Sequence, residues 1–208
     1  MKNKIIRAYN FEIRAENNEK NGDHIIGRPI VYDSMTDLGW FNEIIEAGAL
    51  KETNLKDVRF LVNHNTDMIP LARSRNNNEN STMQLEVDDN GMCIRVNLDT
   101  ENNTEARNLY SAIKRGDITG MSFMFTIDDE RWENLESDHP TRHILKIGQV
   151  FEVSAVTFPA YESTEISARD KDALESAKAT LESVRSQSLE SDKEVLELEK
   201  AKLRNKFF

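Results

Sequence analysis

Residues 116–125 read Gly-Asp-Ile-Thr-Gly-Met-Ser-Phe-Met-Phe, and the chain is organised around this stretch. Phe123 and Phe125 alternate with Ser122 and Met124, which is the two-residue period of a β-strand. If the phenylalanines face the core, Ser122 points off the opposite face of a rigid element, where a catalytic group can be placed precisely. The alternative is an ordinary serine on a solvated strand face, and this stretch alone favours that alternative.

The composition excludes several classes of protein. The 208 residues are enough for one domain with an appendage or for a small pair of domains. A net charge of −10, with no basic stripe along the sequence, argues against nucleic-acid binding. The single cysteine, Cys93, excludes an internal disulfide framework and a cysteine zinc site, and fits a reducing cytoplasm. No apolar run approaches the roughly 20 residues that span a bilayer, and the N-terminus lacks the pattern of a signal peptide.

Histidine 64 follows the clearest strand upstream of Ser122. Residues 57–62 alternate as a strand and end in Asn63-His64-Asn65, which places His64 at a strand end beside a polar loop. Functional side chains are often placed in this way, on a loop that a rigid scaffold supports. A surface histidine, or one with its hydrogen bonds satisfied, is the alternative. His24, at the start of another strand, is expected to be exposed and not catalytic.

The remaining elements follow from periodicity and turn residues. We expect one strand over 4–14 that pairs antiparallel with a strand over 24–32. A short helix or turn over 42–52 and a short strand over 71–75 follow. Residues 82–87 and 92–98 are expected to form a hairpin around Asp88-Asp-Asn-Gly. A helix capped by 102–105 ends at Gly116. Residues 128–140 are expected to be an acidic loop, and two strands follow at 142–147 and 149–157. Glu152 and Ser154 share one face of the last strand.

The composition changes at about residue 168. Glycine, proline and aromatic residues disappear until the last two positions, and leucines recur at intervals of seven, in the sets Leu174 and Leu181, and Leu189, Leu196 and Leu203. Other seam positions are charged, so we predict a marginal amphipathic helix that needs a partner. The sequence therefore divides into a domain over 1–167 and a tail over 168–208.

Five stretches together resemble the prohead, or capsid-maturation, proteases of tailed bacteriophages, which are serine peptidases related to the herpesvirus maturation protease. The resemblance covers roughly residues 5–165 in the family's order, and its pieces are the early strand pair with Gly27 and Tyr32, Phe41-Asn-Glu-Ile-Ile-Glu-Ala-Gly-Ala-Leu, Phe60-Leu-Val-Asn-His-Asn, Lys114-Arg-Gly-Asp-Ile-Thr-Gly-Met-Ser-Phe-Met-Phe, and Val150-Phe-Glu-Val-Ser-Ala-Val-Thr-Phe-Pro-Ala-Tyr. One departure is Leu71-Ala-Arg after Pro70, where relatives often carry a glycine.

The resemblance implies a catalytic triad. Its histidine and serine correspond to His64 and Ser122. The phage members use an acid as the third residue, which indicates Glu152, whereas the herpesvirus relatives use a second histidine, which would be His143 or His139. The chemistry agrees with this set, because a serine hydroxyl needs a neighbouring base, and a neutral histidine oriented by a carboxylate supplies one near pH 7. No metal or other cofactor is needed.

We therefore predict an α+β fold, with a β-rich, barrel-like antiparallel sheet flanked by a few helices and a helical C-terminal tail. The resemblance implies a serine endopeptidase that acts in the host cytoplasm, inside the assembling procapsid. Its substrates would be the major capsid protein, the scaffold segment and the protease itself; a homo-oligomer is left open. Neither nucleic acid nor membrane is an expected partner.

One rival is a non-catalytic capsid assembly or scaffold protein on the same fold. A generic esterase is a third reading, but no Gly-x-Ser-x-Gly motif surrounds Ser122. We expect the tail to be mobile, to target the enzyme to the procapsid and to be removed by self-cleavage.

Overall fold

The structure is a computed structural model that describes residues 4–9, 13–18, 22–158 and 168–206. The described ranges contain eleven strands and two helices: β1 (Ile5–Tyr9), β2 (Ile13–Asn18), β3 (Gly22–Val31), β4 (Thr36–Asp37), β5 (Asn42–Ile45), β6 (Asp57–Val62), β7 (Ala72–Arg75), β8 (Met83–Asp88), β9 (Gly91–Asn97), α1 (Thr104–Arg115), β10 (Gly120–Glu133), β11 (Thr141–Val156) and α2 (Ala168–Lys206).

The strands form two sheets. The larger sheet has the order β1-β10-β11-β5-β4, with β6 also paired to β11 and β7 paired to β6, and the smaller sheet has the order β2-β3-β9-β8. The predicted α+β class and the C-terminal helix are confirmed, while the described strands close no barrel. The prediction of an antiparallel sheet is wrong for β11, which pairs parallel with both β5 and β6. This strand is 16 residues long, so one edge accommodates β5 near its start and β6 near its end.

The predicted strand over 4–14 is two strands in different sheets. β1 pairs antiparallel with β10 in the larger sheet, whereas β2 pairs with β3 in the smaller one. Hydrophobic alternation continues across this boundary, so the sequence gives no sign of the change of sheet. Phe11, which lies between these two strands, is outside the described residues.

Three further predictions are wrong, wholly or in part, for β11 and the strands that pair with it. The segment predicted as a short helix or turn begins with strand β5, and turns follow only after Ile45. In the acidic stretch predicted as a loop over 128–140, residues 128–133 are strand, since β10 runs to Glu133, and only 134–140 lie between strands. The two strands expected after 141 are the single strand β11. In each case pairing with a neighbouring strand overrides the local preference, which is typical of β-structure.

The hairpin and the capped helix form as predicted. Asp88 pairs with Gly91 at the end of the β8–β9 hairpin. Gly91 has φ +129°, and a Cβ there would lie 2.1 Å from the main-chain oxygen of Ile30, so only glycine fits. In α1 the Asn103 side chain accepts the N–H groups of Glu105 and Ala106, and Gly116 ends the helix with φ 80°.

The larger of two hydrophobic clusters among the described residues joins the two sheets and α1. Ile25 and Ile94 come from the smaller sheet, Phe123 and Val153 from the larger one, and Leu109 from α1. The phenylalanines of β10 therefore face the core, as the alternation predicts. Ser122 projects from the opposite face of the larger sheet, and the candidate site lies on that face.

The tail is a helix of 39 residues, and part of it packs against the sheet domain in a second, smaller hydrophobic cluster. Ala177 and Leu181 are buried against Phe41 and Trp132. The Nε of Arg185 donates a hydrogen bond of 2.7 Å to the main-chain oxygen of Leu135. Beyond this contact Leu189 and Leu196 are 55% and 51% exposed, while the side chains of Leu174 and Leu203 lie outside the described residues. The described contacts of α2 with the sheet domain thus lie between Ala177 and Arg185.

Candidate active site

His64 lies two residues beyond the end of β6 in an unusual backbone conformation. Asn63 and His64 both have left-handed φ angles, of 50° and 56°. Such angles are uncommon for residues other than glycine, although asparagine and histidine adopt them more readily than most. The Asn63 N–H donates to the main-chain oxygen of Ala155 at 3.0 Å, and the His64 N–H donates to Ser154 Oγ at 3.1 Å. These two bonds to β11 fix the turn that presents the imidazole.

Glu152 contacts the imidazole from β11. Its Oε1 lies 2.6 Å from His64 Nδ1, and its Oε2 accepts a hydrogen bond of 2.6 Å from Ser154 Oγ. The Glu152 side chain is 3% exposed and that of His64 is 13% exposed. A short contact between a carboxylate and a ring nitrogen in a buried position fixes both the tautomer and the orientation of the ring. The structure therefore brings together two of the three residues that the sequence indicated.

Ser122 lies one strand away, on the same face of the sheet. It stands directly opposite Ser154 in the pairing of β10 with β11, and opposite Ala8 in the pairing of β1 with β10. Opposed residues on neighbouring strands project to the same face, and Glu152, two residues from Ser154, shares that face. His64, Glu152 and Ser122 thus come from, or directly after, three adjacent strands, which lie about 4.8 Å apart.

The Ser122 hydroxyl is engaged with the main chain of β1. Its Oγ donates a hydrogen bond of 2.7 Å to the main-chain oxygen of Arg7, and the residue is 0% exposed. A solvated strand serine, the alternative interpretation in the sequence, is therefore wrong. In this conformation the hydroxyl is directed to strand β1, and the side chain is closed to solvent.

The other histidines lie elsewhere. His143 stands nine residues before Glu152 on β11, about 30 Å along an extended strand, and its Nδ1 lies 2.5 Å from Glu46 Oε1. His139 contacts Asn42 through Nε2 at 3.2 Å. His24, which we expected to be exposed, is 1% exposed, and its Nδ1 lies 3.1 Å from the main-chain oxygen of Gly22. Pairing of β3 with strands on both sides buries it.

A buried ion network anchors Arg7, whose main-chain oxygen accepts the Ser122 hydroxyl. Its guanidinium forms a two-bond ion pair with Glu43 of β5, including Nη2 to Oε2 at 2.9 Å. Arg142 of β11 contacts the same Oε2 at 3.5 Å and donates from Nε to Glu130 at 2.9 Å. Burial alone would raise the pKa of Glu43, but the charge and hydrogen bonding of Arg7 and the charge of Arg142 outweigh it, so the pKa lies below its ordinary value.

An apolar cavity of about 410 Å³ lies beside the segment that carries His64. It separates the chain around 62–71 from α1, and its lining consists mainly of aliphatic side chains with three asparagines and one glutamate: Val62, Asn63, Asn65, Met68, Leu71, Glu105, Asn108, Leu109, Ala112 and Ile118. Among the described residues no group of three or more His, Cys, Asp or Glu side chains is arranged to bind a metal ion.

Comparison with known proteins identifies the family. The family model described as caudovirus prohead serine protease matches residues 9–179, a range that includes His64, Ser122 and Glu152. The chain belongs to this family. Membership confirms the resemblance seen in the sequence and makes the chain a protease of bacteriophage capsid maturation.

The other comparisons add less. Among solved structures, the bacteriophage T4 capsid assembly protease, gp21, is similar with a TM-score of 0.40 and 14% identity, over 74% of this chain and 99% of that one. At this TM-score the similarity supports no further conclusion. No curated protein gives a significant match. Of the helices within the described residues, none is long and apolar enough to cross a membrane.

Sequence reasoning missed three residues that support this region. Arg7 and Glu43 are 36 positions apart, and nothing in the sequence connects them. Ser154 had a detectable signal, because strand alternation puts it on the same face as Glu152. Its two hydrogen bonds, however, depend on where β6 ends beside β11, which the sequence does not specify.

Proposed function

We propose that this protease is a serine endopeptidase in which Ser122 is the nucleophile, His64 the general base and Glu152 the residue that orients the base. The observation that carries the proposal is the 2.6 Å contact of Glu152 Oε1 with His64 Nδ1, on the sheet face that also carries Ser122. The family's description as serine proteases supports the same mechanism.

The chemistry follows from this contact. Glu152 accepts the Nδ1–H hydrogen bond, so the other ring nitrogen, Nε2, is the one that takes the Ser122 proton. The Ser122 oxygen then attacks the peptide carbonyl, and His64 returns the proton to the leaving amine. Water releases the acyl group in a second step that uses the same base. The negative charge of Glu152 stabilises the imidazolium formed in each step.

On this proposal, the conformation of Ser122 corresponds to a resting state. The Ser122 hydroxyl donates to the Arg7 main-chain oxygen, so catalysis requires its rotation to another staggered position, toward the imidazole. Ser122 has no exposed surface, so the groups that cover it must also move when substrate binds.

We infer that the substrates are the major capsid protein, its scaffold segment and the protease itself, within the assembling procapsid. Membership of a prohead protease family supports capsid proteins as substrates. Self-cleavage would remove the tail, where the exposed second half of α2 is the accessible part. The rival function is a non-catalytic assembly protein on the same fold. The hydrogen-bonded pair of the partly buried His64 and the buried Glu152 favours the enzyme, because such a pair has a role in acyl transfer that assembly does not require.

The test is co-expression of the protease with its major capsid protein and scaffold, with cleavage measured by mass spectrometry. Ser122→Ala and His64→Ala are expected to abolish cleavage, and Glu152→Gln to slow it. The double variant of Ser122 and His64 should be hardly worse than either single variant, because a triad acts as one unit. His143→Ala is the matched histidine control and should cleave normally.

Circular dichroism of each variant establishes that the fold is intact. Full cleavage by a folded Ser122→Ala chain would refute the proposal. An inactive His143→Ala together with a normal Glu152→Gln would instead show that the third residue is misassigned.

A further inference from the structure

Ser154 is a fully buried serine at the centre of the candidate site. It lies on β11, opposite Ser122 on one side and opposite Leu61 of β6 on the other, and it is 0% exposed. Its hydroxyl makes two hydrogen bonds. The oxygen accepts the main-chain N–H of His64 at 3.1 Å, and the proton is donated to Glu152 Oε2 at 2.6 Å.

We propose that Ser154 is a positioning residue for the triad, which fixes the carboxylate of Glu152 and the main chain of His64 at the same time. This inference rests on the proposed function and adds a residue to it. Because a hydroxyl is both a donor and an acceptor, one side chain can meet both requirements. Alanine can meet neither, whereas threonine keeps the hydroxyl.

The first requirement concerns Glu152. Glu152 Oε1 contacts Nδ1 of the imidazole, and Glu152 Oε2 accepts the hydrogen bond of the Ser154 hydroxyl. With both oxygens bonded, the carboxylate cannot rotate about its terminal side-chain bond, and Oε1 stays aligned with Nδ1. Without the Ser154 hydroxyl, Oε2 is a buried oxygen that lacks this donor. The carboxylate is then free to turn, and the ring is no longer restricted to one tautomer.

The second requirement concerns the backbone of His64. The residue has φ 56°, a conformation that a non-glycine residue keeps only when surrounding contacts impose it. The bond from its N–H to Ser154 Oγ is such a contact, and it lies one residue beyond the last main-chain bond between this segment and β11. Its loss allows the histidine backbone to relax and displaces the imidazole from Ser122.

Ser154 is not itself the nucleophile. Its proton is donated to Glu152, and its contact with His64 is to the main-chain nitrogen, not to the ring. Ser154→Ala should therefore slow the enzyme without abolishing the reaction, whereas Ser122→Ala should abolish it.

The test measures cleavage of the inactive Ser122→Ala chain, supplied as substrate, by wild-type, Ser154→Ala, Ser154→Thr and Ser74→Ala enzymes. Ser74 is the matched control, because it is also 0% exposed and its Oγ has no hydrogen-bond partner among the described residues. We expect Ser154→Ala to lower kcat by about 10²-fold, the effect of a small misplacement of a catalytic group, with KM unchanged. Ser154→Thr should recover most of kcat, and Ser74→Ala should match the wild type.

A spectroscopic readout separates positioning from a general loss of structure. In ¹⁵N-labelled chains that carry Ser122→Ala, the His64 ring should show one Nδ1–H tautomer in the parent and with Ser74→Ala, but a mixture of tautomers with Ser154→Ala. If Ser154→Ala does not fold, Ser154→Cys, of similar size but a weaker hydrogen-bonding group, serves in its place. Kinetics and tautomer identical to those of Ser74→Ala would overturn the positioning role. Absence of cleavage by the wild-type enzyme would instead count against the proposed function.

Discussion

Glu43 is a charged residue with no exposed surface, and its replacement by glutamine tests whether the buried ion network supports the fold. Its side chain is 0% exposed, between Arg7 at 4% and Arg142 at 5%. Glu43→Gln keeps the shape but leaves two buried guanidinium groups without that charge. Removing one partner of a buried pair costs about 3–5 kcal/mol. Arg142 keeps Glu130, and the glutamine oxygen still accepts one hydrogen bond, so we expect about 3 kcal/mol.

Urea unfolding of chains that carry Ser122→Ala, which prevents self-cleavage, measures this loss. With a slope of about 2 kcal/mol/M, a loss of about 3 kcal/mol lowers the midpoint by about 1.5 M. The control is Glu52→Gln, because Glu52 also pairs with a cation, Lys146, but is 70% exposed, so its midpoint should stay unchanged. Equal midpoints for the two variants would refute the reasoning.

The same comparison has a defined pH dependence. The folded-state pKa of Glu43 is lowered, so its contribution to stability is fully present above the ordinary carboxyl value of about 4.3. That contribution is lost as the pH falls through the lower folded-state value. The difference in unfolding free energy between the parent chain and Glu43→Gln should therefore shrink on acidification. A difference that grows as the pH falls would contradict the assigned direction of the shift.

Three further outcomes are expected. The kcat/KM for capsid-protein cleavage should fall on acidification, because a protonated imidazole cannot accept the Ser122 proton; a rate that does not change with pH would argue against a histidine base. Hydrogen exchange in the Ser122→Ala chain should be slow over 177–185 and fast over 189–198. Leu181→Ala should speed exchange over 177–185, whereas Leu189→Ala should not. Slow exchange over both segments would mean that the whole tail is docked. Asn103→Ala should cost about 1 kcal/mol in urea unfolding, through loss of the α1 cap, and an unchanged midpoint would show that the cap is dispensable.

Patterns among neighbouring residues were sufficient to predict the structure where it depends on a single strand or a single turn. The alternation around Ser122 placed it opposite the core phenylalanines, and the end of the 57–62 strand placed His64 beside a loop. The Asp88-Asp-Asn-Gly sequence predicted the hairpin, and its Gly91 has φ 129°, an angle that few other residues tolerate. These predictions depend on neighbours within a few positions, which the sequence displays directly.

Predictions failed where distant residues determine the structure. Glu43 sits between polar and apolar neighbours in a stretch that suggests a helix or turn, and only pairing with β11 and the ion pair with Arg7 make it a buried strand residue. The burial of Ser122 and its bond to the Arg7 oxygen likewise depend on β1, more than 100 residues away. Such contacts have no signature in a single sequence.

The most direct test of Ser122 as nucleophile is the intact mass of the purified chain during incubation. The wild-type chain is expected to shorten itself by loss of tail residues, while Ser122→Ala, purified and incubated in parallel, keeps its full mass. Addition of a small amount of wild-type enzyme should then shorten the Ser122→Ala chain, which shows that the variant still presents the cleavage site. Shortening of Ser122→Ala alone, at the wild-type rate, would contradict the account.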